Sequence, residues 1–182
     1  MKLNMKDILK PTLILFLICL ISVSALAGTN ALTADKIVEA QLETAEQSRK
    51  IVLPEADGFT EENGYFTGTK GGAEVGYVFQ TESKGYGGTV QVMTGIDMDG
   101  SVTGVVILSH NETPGLGANA DKDTFRGQYE QPVKSGGFAV VKNQPASEGE
   151  VEALTGATIT TQAVTDAVNL AIEQYEAMKG GA

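Results

Sequence analysis

The amino-acid sequence predicts an α+β protein with a single N-terminal transmembrane helix, followed by a mainly antiparallel domain that ends in a C-terminal helix. Three patterns predict this class. An uncharged apolar run covers residues 11–27, strand-like runs punctuated by glycine occupy residues 65–109, and an apolar stripe at helical spacing covers residues 161–178. Strands that precede a helix, rather than alternating with helices, are typical of an antiparallel sheet with a helix on one face.

The apolar run over residues 11–27 lies at the short end of the length that crosses a bilayer as a helix. Lys2, Lys6 and Lys10 precede it, and the positive-inside rule therefore places the N-terminus in the cytoplasm. We expect a retained anchor, which makes the chain a single-pass protein of the cell membrane. A signal peptide cleaved after residues 25–27 is the alternative, and it also exports the remainder of the chain.

The chain is predicted to divide into three parts. Residues 1–28 form the cytoplasmic N-terminus and anchor, residues 29–50 a linker helix, and residues 51–182 an extracytoplasmic domain. The predicted strands cover residues 65–69, 73–80, 89–97, 102–109 and 138–142, and the predicted helices cover residues 32–50, 119–128 and 161–178. The run Asp97-Met98-Asp99-Gly100 is typical of a hairpin turn between two of these strands.

Composition excludes several classes of function. With a net charge of −10, the chain is not expected to bind nucleic acid by neutralising phosphates. Its one cysteine, Cys19, lies inside the apolar run, so the domain has no disulfide, Cys-rich zinc site or iron–sulfur ligand set. We predict no metal site and no catalytic residue. Redox activity would then require an organic cofactor.

The segment that directly precedes the last predicted helix is suited to an anion. Free backbone N–H groups and the positive end of the helix dipole meet at such a position. Four threonine hydroxyls lie within residues 155–161, and Gly156 and Ala157 leave room for a bulky group. A phosphate fits this setting, although threonines that only cap the helix explain the same residues.

The run Thr155-Gly156-Ala157-Thr158 resembles the flavinylation motif of the FMN-binding domain family. In that family a flavin transferase attaches FMN through a phosphoester to the last threonine of the motif. The resemblance implies covalent FMN on Thr158. The family carries an acidic residue, usually aspartate, three positions before the motif, where this chain has the longer Glu152.

Two further runs resemble the same family in the same order. The loop 112–117 (Glu-Thr-Pro-Gly-Leu-Gly) resembles a loop of the G subunit of the Rnf electron-transport complex, and of the C subunit of the sodium-pumping NADH:quinone reductase. The run 84–88 (Lys-Gly-Tyr-Gly-Gly) also matches. We expect Leu116 to lie against the isoalloxazine ring, and Glu112 and Thr113 to hydrogen-bond its polar edge or the ribityl chain.

The resemblance implies an electron-transfer subunit of a membrane-bound, ion-translocating ferredoxin:NAD⁺ oxidoreductase, relaying electrons on the outer face of the membrane. Its expected partners are the other Rnf subunits, a flavin transferase and, through one helix, the membrane. The chain has no glycine fingerprint for NAD and no iron–sulfur cysteines, so alone it completes no such reaction. The alternatives are an exported FMN-binding domain of another quinone or extracellular electron route, and a non-redox binding module.

Overall fold

A computed structural model describes residues 5–133 and 136–180 of the chain and, from residue 9 onward, their side chains. Lys2, the side chain of Lys6 and the outermost residues of the predicted parts 1–28 and 51–182 lie outside this description. One helix, α1 (Met5–Val52), covers both the predicted anchor and the predicted linker. From Leu9 on it is long and apolar enough to cross a membrane, with a mean hydropathy of 2.3.

The contacts within the chain define two units. The first ends at Glu43 and the second begins at Thr44, so the last turns of α1 belong to the second unit. The strands and the C-terminal helix all lie within the second unit.

A five-stranded antiparallel sheet forms the body of this unit. Its strands are β1 (Gly58–Glu62), β2 (Tyr65–Lys70), β3 (Ala73–Lys84), β4 (Thr89–Asp97) and β5 (Val102–Ser109), in that spatial order. The predicted antiparallel arrangement is confirmed. The turn from β4 to β5 is held by Asp97, whose carboxylate accepts the N–H groups of Asp99 and Ser101 at 3.0 and 2.8 Å. Gly100 completes it with a φ of +84°.

The C-terminal helix α3 (Thr158–Gly180) packs on one face of the sheet, against β3 and β4. Its buried stripe consists of the residues that the sequence pattern predicts: Val164, Ala167, Val168, Ala171, Ile172 and Tyr175. Strand residues of the same face, such as Tyr77 and Phe79, complete this core. Burial of this stripe ties the position of the start of α3 to the sheet.

The other face of the sheet receives the end of α1. Val52 and Leu53 are buried there with Val78, Met93 and Val106. Four glycines, one on each of β2 to β5, clear a groove for them, which we call the glycine groove: Gly68, Gly76, Gly95 and Gly104. A Cβ atom at Gly95 would lie 2.1 Å from the carbonyl oxygen of Val52, and one at Gly68 would lie 2.3 Å from a methyl group of Leu53.

The segment between β5 and α3 is largely irregular. It contains 3-10 turns at Gly117–Asp121 and Gly127–Tyr129, the short helix α2 (Asp123–Arg126), and a parallel pair of strands, β6 (Ala139–Val141) and β7 (Glu150–Glu152). Sequence patterns did not predict β1 or β7. Both are short, and their pairing with a neighbour, rather than an alternating pattern, defines them.

Candidate functional site

A cavity of about 560 Å³ opens where three segments of the second unit meet. They are the turn that precedes β4, the loop that comes after β5, and the start of α3. The cavity is lined by Tyr86, Glu112, Thr113, Leu116, Gly117, Gly156, Ala157, Thr158, Ile159 and Thr160. The structure thus brings together all of the sequence-predicted site residues except Thr155, which is an exposed turn residue outside the lining.

The start of α3 presents unpaired backbone donors. The Thr161 hydroxyl accepts the N–H of Leu154 at 3.0 Å and donates to the carbonyl of Ala157 at 3.1 Å. The N–H of Thr161 is the first that bonds back, to Ala157 at 3.0 Å. The three N–H groups before it, those of residues 158–160, belong to the first turn, which has no partners within a helix. With the helix dipole, they make this end of the cavity favourable for a phosphate.

Thr158 is the first residue of α3, half-buried in the cavity wall. Gly156, two residues before it, has a φ of +78°, which a glycine adopts without strain. A Cβ atom there would lie 3.2 Å from a methyl group of Leu116. The small residues before Thr158 therefore let the loop after β5 approach the start of α3.

That loop begins with Glu112, whose side chain is buried, with an exposed fraction of 6%. One carboxylate oxygen accepts the Thr160 hydroxyl at 2.6 Å, and the other accepts the N–H of Gly87 at 2.9 Å. Burial raises the pKa of Glu112, but hydrogen bonds from Thr160 and from the backbone of Gly87 and Tyr86 outweigh it, so the pKa is lowered from 4.5. Glu112 is therefore ionised at neutral pH.

The rest of the loop forms a compact turn. The N–H groups of Leu116 and Ala118 both bond to the carbonyl of Thr113, at 3.1 and 3.2 Å, and Gly115 has a φ of +81°. The Asn119 side chain closes the turn by donating to the carbonyl of Gly115 at 2.8 Å. The Leu116 side chain is left 45% exposed on the cavity wall.

The turn before β4 supplies the third wall. Gly85 donates its N–H to the carbonyl of Gly88 at 2.7 Å, and a Cβ atom at Gly87 would lie 2.0 Å from the carbonyl oxygen of Asn111. The turn therefore fits closely against the loop after β5. It presents the ring of Tyr86, which is 74% exposed, at the cavity.

Two of these lining residues, Tyr86 and Thr160, were not among the predicted site residues. For Tyr86 the flanking glycines carried a signal, because they mark a tight turn. Thr160 carried none beyond its place in a threonine-rich segment. Its bond to Glu112 joins residues 48 positions apart.

His110 stands beside the site and is used structurally. Its Nε2 atom lies 2.9 Å from an Asp121 carboxylate oxygen, and its Nδ1 atom accepts the N–H of Glu112 at 3.0 Å. These two contacts fix the backbone from which the Glu112 side chain projects.

The site has the features of a cofactor pocket. Its volume lies within the range for small-molecule sites, and it combines a helix N-terminus with exposed apolar side chains at Tyr86, Leu116 and Ile159. A phosphate with an attached flat ring system matches both halves. Residues 85–173, which include the whole lining, match the model of the FMN-binding domain family. The second unit is thus an FMN-binding domain.

The family is established by closer comparisons. Residues 1–50 match the RnfG N-terminal region. The chain is 39% identical to the G subunit of the proton-translocating ferredoxin:NAD(+) oxidoreductase complex of Clostridium ljungdahlii, over 90% of this chain and 89% of that one. It is 38% identical to the G subunit of the Na(+)-translocating ferredoxin:NAD(+) oxidoreductase complex of Acetobacterium woodii, over 96% and 95%. The chain belongs to this family of G subunits, which confirms the resemblance found in the sequence.

The fold has a solved counterpart. The crystal structure of Shewanella oneidensis NqrC superimposes with a TM-score of 0.51 and 21% identity, over 65% of this chain and 64% of that one. At this level of identity the likeness concerns the fold alone, and it agrees with the predicted fold class.

Proposed function

We propose that this chain is the FMN-carrying electron-transfer subunit of a membrane-bound, ion-translocating ferredoxin:NAD⁺ oxidoreductase complex. Relatives that carry the names of such complexes align with nearly its whole length, and its second unit is an FMN-binding domain. The other subunits of the complex are its partners, because this chain lacks the groups that would bind NAD⁺ or exchange electrons with ferredoxin.

FMN is held covalently through Thr158. The observation that carries this part of the proposal is the position of Thr158 as the first residue of α3, on the cavity wall and beside the free N–H groups of the first turn. The Thr158 hydroxyl gives up its proton, and its oxygen bonds to the phosphorus of an FMN phosphoryl group delivered by a flavin transferase. The resulting diester keeps one negative charge, which the helix terminus stabilises.

The remaining wall residues orient the cofactor. Bound FMN supplies the capacity to accept and release single electrons. Leu116 and Ile159 offer exposed apolar surface to its ring, and Thr113 offers a hydroxyl to its polar groups. Thr155, which lies outside the cavity lining, serves to shape the turn before α3 rather than to touch the cofactor.

The domain works on the outer face of the membrane, with α1 as a single anchor and the N-terminus in the cytoplasm. The apolar stretch of α1 and the lysines before it support this orientation. An exported domain has no access to cytoplasmic FMN, so a covalent bond prevents loss of the cofactor in either redox state.

The attachment is tested by co-expressing the full chain with a flavin transferase in an exporting host and running the membranes on a denaturing gel. Flavin fluorescence should survive denaturation in the wild type and be absent in Thr158→Ala. Thr155→Ala is the matched control, because it removes a hydroxyl of the same motif outside the cavity, and it should keep the fluorescence. Fluorescence that persists in Thr158→Ala would show that the bond is on another residue.

Two further measurements test the setting. In a Cys19→Ala background, a cysteine at exposed Glu61 should react with a membrane-impermeant thiol reagent in intact cells, whereas protection would reverse the orientation. Solubilised wild-type chain should copurify with other subunits, and Thr158→Ala should abolish ferredoxin-dependent NAD⁺ reduction by the membranes. Full activity of the mutant membranes would favour another electron route.

A further inference from the structure

Glu112 occupies the junction of all three walls of the cavity. Its two carboxylate oxygens accept hydrogen bonds from Gly87, on the turn before β4, and from Thr160, in the first turn of α3. Its own backbone belongs to the loop after β5 and is fixed by His110. One side chain thus links three segments that are far apart in the sequence.

Two glycines make the space that this carboxylate occupies. A Cβ atom at Gly85 would lie 2.4 Å from one carboxylate oxygen, and one at Gly117 would lie 2.5 Å from the other and 2.6 Å from the Thr160 hydroxyl. No side chain larger than glycine fits at either position without moving Glu112. The packing is therefore built around a carboxylate at this point.

The charge of this carboxylate is not neutralised by an ion pair. None of the ion pairs among the described residues includes Glu112. The titratable group that acts on it electrostatically is His110. A buried charge in a medium of low effective dielectric constant acts on its neighbours more strongly than one in water.

We infer that Glu112 is a positioning residue that also sets the reduction potential of the flavin, since it fixes the three cavity walls and holds a negative charge beside the cofactor. This inference rests on the proposed function. One electron added to the flavin adds one unit of negative charge, which a fixed carboxylate on the cavity wall disfavours. Glu112 therefore makes the bound flavin a stronger reductant. Its hydrogen bonds to the protein replace the direct bond to the cofactor that the sequence suggests.

Glu112→Gln removes the charge and keeps the geometry. The amide oxygen can accept the N–H of Gly87, and the amide nitrogen can donate to the Thr160 hydroxyl, which then acts as the acceptor. Midpoint potentials are measured by redox titration of flavin absorbance on the purified, flavinylated full chain. The expected result is a shift to a more positive potential, corresponding to about a tenfold gain in electron affinity, or about 59 mV for a one-electron couple.

Thr160→Val is the matched variant, because it removes one hydrogen bond and keeps the charge. At neutral pH its potential should equal that of the wild type or be more negative. Its Glu112 gains a proton at a higher pH, so on acidification its potential should begin to rise above that of the wild type. Thr160→Val also provides the test if Glu112→Gln does not fold.

Potentials that are unchanged in Glu112→Gln, or in the acid range of Thr160→Val, would reduce Glu112 to a structural residue and overturn the inference. Flavin content is read separately, from gel fluorescence. Loss of flavin from the wild type therefore refutes the proposed attachment, whereas an unchanged potential in flavin-carrying protein refutes the role of the Glu112 charge.

Discussion

The hydrogen bond between Thr160 and Glu112 allows a quantitative prediction for the stability of the second unit. In Thr160→Val a methyl group replaces the hydroxyl that donates to the buried carboxylate at 2.6 Å. A hydrogen bond to a charged group contributes about 1.5–3 kcal/mol, and the variant leaves that oxygen without its donor. We therefore expect the free energy of unfolding to fall by about 2 kcal/mol at neutral pH.

The loss should depend on pH. The folded-state pKa of Glu112 lies below its value of 4.5 in the unfolded chain, so its ionisation stabilises the fold above pH 4.5, and this contribution disappears as the pH falls through the folded pKa. Without the Thr160 hydroxyl, the folded pKa rises. The difference between wild type and variant should therefore shrink as the pH is lowered from 7 to 4.

The assay is urea denaturation of the full chain in detergent micelles at several pH values. Thr165→Val is the control, because its hydroxyl is equally buried on α3 but bonds to Tyr129 at 2.8 Å and to the carbonyl of Thr161 at 2.9 Å. Neither partner titrates in this range, so its loss should be independent of pH. An equal loss at both ends of the pH range in Thr160→Val would refute the reasoning.

Three further outcomes are expected from the structure. Gly87→Ala should cost about 1–3 kcal/mol and reduce flavin retention, because its Cβ would meet a backbone carbonyl at 2.0 Å, whereas Gly127→Ala, in open space, should be nearly neutral; thermal melts and gel fluorescence check both. Tyr129→Phe should lower the urea-unfolding free energy by about 1 kcal/mol only, since its partner Thr165 keeps a second hydrogen bond. Burial, followed by a bond to a neighbouring glutamate, raises the pKa of Tyr77 to about 12, so the neutral phenol is favoured in the fold. Stability should then fall as the pH rises from 10 towards 12, and alkaline titration of Tyr77→Phe should lack that part of the loss.

Local patterns were sufficient to predict β4 and β5 with the bounds that the structure gives them. Alternating residues bounded by the Asp97–Gly100 turn determine both strands, and the turn is stabilised by its own residues. The stripe of α3 was equally legible, because burial on one face requires helical spacing.

Contacts between distant segments were beyond the reach of these patterns. No local signal indicates that Thr160 donates to Glu112 or that Tyr86 reaches the cavity. The continuity of α1 through Gly28 was also not predicted, although a single glycine costs a helix only about 1 kcal/mol. The hydroxyls of Thr29 and Thr33 bond back to carbonyls four residues earlier, at 2.9 Å each, so these threonines do not end the helix.

The glycine groove also constrains the order in which the unit can fold. Val52 leaves the ribosome well before its partners, since its carbonyl oxygen accepts the hydroxyl of Thr103, 51 positions later. Until β5 has been synthesised, the groove is incomplete and the apolar end of α1 has nothing to pack against. The sheet therefore cannot close around Val52 and Leu53 as they emerge. It must capture them late, in a step whose loop is long and whose rate is correspondingly low.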